Sequence, residues 1–140
     1  MKETKKILLR ELNKDLEFEY ASAIQYVQHA ATITGPEYES IIKELLVHSE
    51  EEMQHAATLS HQIAFLGGTP VVDVEHREVS PESKKMLDQD LWGEDNAISR
   101  YKERIGQAEA LKEYGLRRVL EDILVMEEEH KQDLLTVLRK

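Results

Sequence analysis

The sequence contains no cysteine, which removes disulfides, thiolate zinc sites and iron–sulfur clusters together. Proline is scarce at three residues and glycine at six in a chain of 140, so little interrupts long helices. No apolar run approaches the roughly 20 residues that cross a bilayer, and the N-terminus lacks the apolar core of a signal peptide. These absences point to a cytoplasmic location and no membrane partner. Basic residues are outnumbered, 18 against 28 acids, for a net charge of −10. Phosphate binding needs basic patches, so nucleic acid is not expected as a partner. The segment Lys2–Lys6 holds three lysines, too few for a DNA-binding tail.

What remains is 41% apolar and 33% charged residues, enough to bury a core within one domain spanning residues 1–140. Four stripes of apolar residues recur at alternating spacings of three and four. The first runs through Leu9, Leu12, Leu16, Ala23, Tyr26, Ala30 and Ile33, and the second through Tyr38, Ile41, Leu45, Leu59, Ile63 and Leu66. The third takes Leu87, Leu91, Ile98, Tyr101, Ile105 and Ala108, and the fourth Leu116, Leu120, Ile123, Leu134 and Val137. Such stripes mark helices packed side by side. Gly35-Pro36 is expected to stop the first helix and start the second, Gly67-Gly68 to end the second, Ser80-Pro81 to cap and open the third, and Gly115 to part the third from the fourth. The 14 residues from Gly67 to Ser80 can reach roughly 46 Å when extended, about the length of a 30-residue helix. They can therefore run the length of the bundle and leave the second and third helices parallel. The expected fold is all-α: a ferritin-like four-helix bundle with one long crossover between the second and third helices.

Acids sit where a core should be. Glu19, Glu52, Glu94 and Glu127 occupy the apolar stripes, as do His55 and His130, each three residues after a Glu. Burying an unpaired carboxylate costs several kcal/mol or forces it to protonate. Each Glu lies near the middle of its helix, so antiparallel packing brings all four to one height, and Glu-x-x-His places both side chains on one face. Four carboxylates and two neutral imidazoles call for two divalent cations. Mixed oxygen and nitrogen donors suit iron or manganese, and zinc less securely.

An internal repeat supports the same grouping. Glu19 and Glu94, Glu52 and Glu127, and His55 and His130 are each 75 residues apart, as are Leu12 and Leu87, Asp15 and Asp90, Leu16 and Leu91, and Tyr26 and Tyr101. The chain reads as one helix pair used twice, with each half giving one Glu and one Glu-x-x-His. One such pair is weak evidence in so acidic a chain. Two of them with matched partner acids are not, and the competing reading is that the helix faces have been misassigned.

At these residues the chain resembles a bacterioferritin over nearly its whole length. The segments that carry the resemblance are EYASAIQY from Glu19, LGGTP from Leu66, DLWGE from Asp90, EMQH from Glu52 and EEEH from Glu127. The resemblance implies that Glu19 and His55 bind one iron, that Glu94 and His130 bind the other, and that Glu52 and Glu127 bridge the pair. It implies ferroxidase activity: Fe(II) is oxidised by dioxygen or peroxide, in the service of iron storage or detoxification. It also implies a homo-oligomer, at least a two-fold dimer, and a haem b held by Met53 across a dimer interface. An ordinary packing methionine is the alternative at Met53.

Tyr26 and Tyr101, one heptad beyond Glu19 and Glu94, are candidate hydrogen-bond donors to the ligands, with plain core packing as the other reading. His48, one turn before Glu52, reads as a satisfied core histidine or an accessory ligand. His29, His61 and His76 fall off the stripes or in loops, and no role is assigned to them. The chain ends ten residues after His130, where the family carries a short fifth helix that closes its 24-subunit cage, so a full cage is not assured. The rival within the same chemistry is a rubrerythrin-like di-iron peroxidase or oxidase without mineral storage. A DNA-protecting mini-ferritin is the second rival, disfavoured by the acidic charge and by six ligands that fit one bundle.

Overall fold

The computed structural model describes residues 2–139, with side chains from Thr4 onward. Met1 and Lys140 of the expected domain, and the Lys2 side chain of the lysine-bearing segment, lie outside the described residues. Four α-helices are present among them: α1 (Lys2–Thr32), α2 (Ile41–Phe65), α3 (Ser83–Ala110) and α4 (Tyr114–Leu138). No described residue forms a strand, and no described helix is long and apolar enough to cross a membrane.

The stretch from 66 to 82 climbs along α1 and is tied to it step by step. Asn13 donates through Nδ2 to the Thr69 carbonyl at 3.1 Å and accepts from the Val71 amide at 3.0 Å. Further along, the Glu75 amide donates to the Glu17 carbonyl at 3.2 Å, and Lys14 pairs with Glu75. Gln25 then donates to the Glu78 carbonyl at 3.1 Å, and the Thr34 amide donates to Ser83 Oγ at 2.9 Å. The crossover therefore follows α1 from one end to the other. It delivers the chain to the start of α3 with α2 and α3 parallel.

Three boundaries differ from the sequence expectation. Pro36 opens a short 3-10 turn (Pro36–Tyr38), and α2 begins only at Ile41 after Ser40. Pro81 does not open α3. Ser80 Oγ accepts from the Glu82 amide at 3.1 Å and closes a turn ahead of the helix. Gly115 is the second residue of α4, and the reversal before it is made by Lys112, which adopts φ 60°. Two bonds hold Lys112 there, from its own amide to the Glu109 carbonyl and from the Glu113 amide to the Ala108 carbonyl, each 2.9 Å. Gly67 does end α2 as expected. It takes φ +93°, which L side chains rarely adopt, while the Gly68 amide returns to the Ile63 carbonyl at 2.9 Å.

The apolar stripes meet in two clusters, one at each end of the bundle. Leu12, Leu16, Leu59, Ile63, Leu116 and Leu120 fill one end. Ile33, Ile41, Leu45, Met86, Leu87 and Leu134 fill the other. Truncating a fully buried leucine such as Leu12 or Leu87 to alanine is worth about 2–5 kcal/mol of destabilisation. Between these plugs lies a buried polar layer.

Candidate metal centre

Glu19, Glu52, His55, Glu94, Glu127 and His130 are all buried in that layer, one each from α1 and α3 and two each from α2 and α4. The spacing of three between Glu and His on α2 and on α4 turns both side chains inward from the same face. His55 Nδ1 lies 3.5 Å from Glu19 Oε2, 3.4 Å from Glu52 Oε1 and 3.2 Å from Glu127 Oε1. His130 Nδ1 lies 3.0 Å from Glu94 Oε2, 3.3 Å from Glu52 Oε1 and 3.6 Å from Glu127 Oε1. Each imidazole thus has a carboxylate of its own, and both share Glu52 and Glu127. Two groups of potential ligands result, Glu19–Glu52–His55–Glu127 and Glu52–Glu94–Glu127–His130.

Several atoms at this centre lack any hydrogen-bond partner although they are fully buried: Glu19 Oε2, Glu52 Oε1, His55 Nδ1 and both carboxylate oxygens of Glu127. Buried polar atoms are rarely left so, because each unmet one costs about 1–3 kcal/mol and more if charged. The unmet atoms face one another. Two divalent cations would satisfy them and cancel four negative charges, and the oxygen-and-nitrogen donor set fits iron.

Protons reveal the same tension. Burial, then the nearby Glu19 and Glu94, push Glu52 up to about 8, and burial with Glu52 and Glu94 raises Glu127 well above the carboxylate range. Burial also works on Glu94, but His130 outweighs it and leaves that carboxyl lowered. Burial opposes a charged imidazole at His55 and His130. Even so, Glu127 and Glu19 hold His55 at about 10, and Glu52 and Glu94 hold His130 at about 12. Without metal, protons substitute for cations.

The tyrosines serve the carboxylates. Tyr26 Oη donates to Glu94 Oε2 at 2.7 Å and Tyr101 Oη donates to Glu19 Oε1 at 2.6 Å, both fully buried. Burial first, then the adjacent carboxylates, keep both phenols protonated as donors.

A family model for the ferritin-like domain matches residues 9–140. The chain belongs to the ferritin-like family. Among curated relatives, it is 32% identical to a bacterioferritin of Brucella melitensis over 99% of this chain and 86% of that one. It is 27% identical to a nutrient stress-induced DNA-binding protein of Nostoc sp., over 84% of this chain and 69% of that one. Its fold superposes on a ferritin-like, diiron-carboxylate protein of Bacillus anthracis with a TM-score of 0.94, at 31% identity and 99% coverage of both chains. A dodecameric thioferritin from Bacteroides fragilis, a bacterioferritin-related protein, gives a TM-score of 0.89 at 30% identity, covering 96% of this chain and 86% of that one.

The ferritin-like bundle also buries residues that periodicity did not single out. His29 is fully buried, and its Nδ1 sits 2.8 and 2.9 Å from the two oxygens of buried Asp90. Asp15 is gripped by Arg104 at 2.7 and 3.3 Å and by Arg100 at 3.2 Å. His29 and Arg104 are themselves 75 residues apart, so the repeat that relates Asp15 to Asp90 could have flagged them. His48 is buried with Nε2 at 3.0 Å from Asp133 Oδ2, and its ring stacks on His130 at 4.0 Å between centroids. Met53 is 48% exposed on α2, and Arg77 of the crossover donates to Ser22 and to the Gln89 carbonyl beside Gly93. A Cβ on Gly93 would come within 2.5 Å of the Arg77 guanidinium, so any larger residue there would displace that side chain.

Proposed function

We propose that this chain is a bacterioferritin-like ferroxidase: it takes Fe(II) as substrate into the bundle core, passes electrons to dioxygen or peroxide, and serves iron storage or detoxification. The observation that carries this reading is the convergence of unpartnered, buried carboxylate and imidazole atoms on one point between two apolar plugs. Glu19 with His55 and Glu94 with His130 would each hold one ion, and Glu52 and Glu127 would lie between them. Two adjacent iron ions together supply the two electrons that peroxide formation, or peroxide reduction to water, requires. The chain's own residues do the rest. Tyr101 holds Glu19 by Oε1 and leaves Oε2 facing His55, while Tyr26 holds the Glu94 oxygen that also faces His130, so both carboxylates are fixed in orientation. Glu52, His55 and His130 hold protons that must leave as cations enter. The apolar clusters on either side exclude bulk water from the reacting groups.

Homo-oligomer formation is part of the same reading. It is supported by the dodecameric Bacteroides fragilis relative and by exposed Ile24, Val27, Val72 and Val74 on α1 and the crossover. A haem b at Met53 is the further possibility the family likeness offers. Haem titration of the protein and of Met53→Ala, read by the Soret band, tests it. The Nostoc relative is named for DNA binding, but a net charge of −10 disfavours that activity here.

Anaerobic titration should saturate its tight phase at about two Fe(II) per chain. Glu94→Ala or His130→Ala should abolish rapid oxidation while helical circular dichroism persists. Rapid oxidation that survives in both variants would overturn the site. Turnover of peroxide with no net iron uptake would favour the rubrerythrin-like alternative.

A further inference from the structure

We propose that Glu44, His48 and Asp133 form a third divalent-cation site at the α2–α4 surface, an outer station that passes Fe(II) to the Glu94–His130 half of the core. The binding claim stands on its own geometry. Only the relay rests on the ferroxidase reading above.

Three ligand atoms, one from each residue, lie within 4.8 Å of one another. Acids clustered on an acidic surface would mean little, but His48 is different in kind. It is 1% exposed, its Nε2 lies 3.0 Å from Asp133 Oδ2, and its Nδ1 is left without a hydrogen-bond partner. It also belongs to a second group, His48–Glu94–His130, whose ligand atoms again lie within 4.8 Å of one another. One imidazole therefore takes part in an outer cluster and in the core. Glu44 is exposed and the Asp133 side chain is 45% exposed, so the outer cluster opens to solvent. Beside it lies a surface cavity of about 360 Å³ that carries Glu37, Glu44 and Asp133 against one cation, Arg139.

Helix geometry explains the alignment. Glu44, His48, Glu52 and His55 follow one face of α2 at spacings of four, four and three, and Glu127, His130 and Asp133 follow one face of α4 at three and three. The two helices are antiparallel, so stepping back along α2 accompanies stepping forward along α4. Ligand-type residues therefore continue from core to surface without a gap. The repeat supplies an internal control. Residues 75 positions from Glu44, His48 and Asp133 are Val119, Ile123 and Thr58, and Ile123 is buried in an apolar cluster. Among the described residues, the matching positions of the other half build no such ladder. Two carboxylates and one imidazole, with water completing the shell, suit Fe(II), Co(II) or Zn(II) held loosely enough to move on.

Co(II) serves as the probe on the metal-stripped, full-length protein, counted by equilibrium dialysis and located in crystals by anomalous scattering at the cobalt edge. We expect three Co(II) per chain, the third roughly tenfold or more weaker, with an anomalous peak between Glu44, His48 and Asp133. Glu44→Gln with Asp133→Asn should stop at two and lose that peak. Glu19→Ala with His55→Ala should lose core metal and keep the outer peak. An unchanged count in the Glu44→Gln/Asp133→Asn protein, or no peak at that position in the parent, overturns the third site. Unaltered core binding in the Glu19→Ala/His55→Ala protein instead sinks the two-metal reading and leaves the outer site standing. For the relay, the Glu44→Gln/Asp133→Asn protein should oxidise Fe(II) on the order of tenfold more slowly at low iron and match the parent at saturation. Identical rate curves overturn the relay.

Discussion

The α1–α2 half and the α3–α4 half contribute the same inward chemistry and differently built surroundings. Glu, Glu-x-x-His and a buried tyrosine donor repeat at a constant interval, and each tyrosine reaches across to the carboxylate of the other half. Around them the symmetry fails. Asp15 is held by two arginines and Asp90 by a histidine. His130 leads through His48 to surface acids, whereas the matching positions near His55 are aliphatic or hydroxylated. Paired metals demand matched ligands, but nothing demands matched counter-ions or matched access. The repeat holds at the six inward residues and their tyrosine donors, and fails at the groups that support and surround them.

The largest expected effect tests the symmetric part. His55→Ala and His130→Ala should each reduce rapid Fe(II) oxidation by more than the roughly 100-fold that loss of a supporting residue costs. Stopped-flow rates that fall in only one of the two would break the equivalence of the halves.

Next comes the unequal support. Asp15→Ala takes from the buried Arg104 guanidinium, which cannot shed its proton, its nearest carboxylate and leaves Gln107 and the more distant Glu11 and Glu103, and should destabilise the metal-free fold by about 3 kcal/mol. Asp90→Ala takes from His29 a hydrogen-bond partner rather than from a guanidinium its counter-ion, and should cost less, about 1–3 kcal/mol. Urea denaturation of both variants decides the order, and equal losses would remove the distinction. Tyr26→Phe and Tyr101→Phe should be milder and similar, about tenfold each in metal affinity.

The remaining effect is in pH. Glu52, raised to about 8 from 4.5, binds a proton more tightly folded than unfolded. Its contribution is complete below about pH 4.5 and disappears as pH rises through about 8. His55 and His130, raised to about 10 and about 12 from 6.5, act in the same sense at higher pH. The metal-free melting temperature should therefore decline between about pH 6 and about pH 9, while metal affinity rises over that interval. Calorimetry showing a flat or rising trend without metal would contradict this.

The bundle was legible because four stripes carried the periodicity, and the six inward residues stood out as acids and imidazoles on those stripes. The structure places all six in one buried layer. Boundaries were less legible where proline and glycine lie beside a helix end rather than at it. Pro36 and Pro81 sit in turns ahead of α2 and α3, and Lys112 takes the left-handed position that glycine usually marks. His29 lies beside the Tyr26–Ala30 stripe rather than on it, and the buried face of α1 is wide enough to include both. Glu44 and Asp133 carry no local signature in so acidic a chain. Only the packing of α2 on α4 brings them to one imidazole.

Iron-edge anomalous scattering from crystals loaded anaerobically with Fe(II) addresses the central claim most directly. Two strong peaks should appear inside the bundle, one beside Glu19 and His55 and one beside Glu94 and His130, with Glu52 and Glu127 between them. A bundle core that stays free of anomalous signal at saturating Fe(II), or that shows a single central peak, would contradict it.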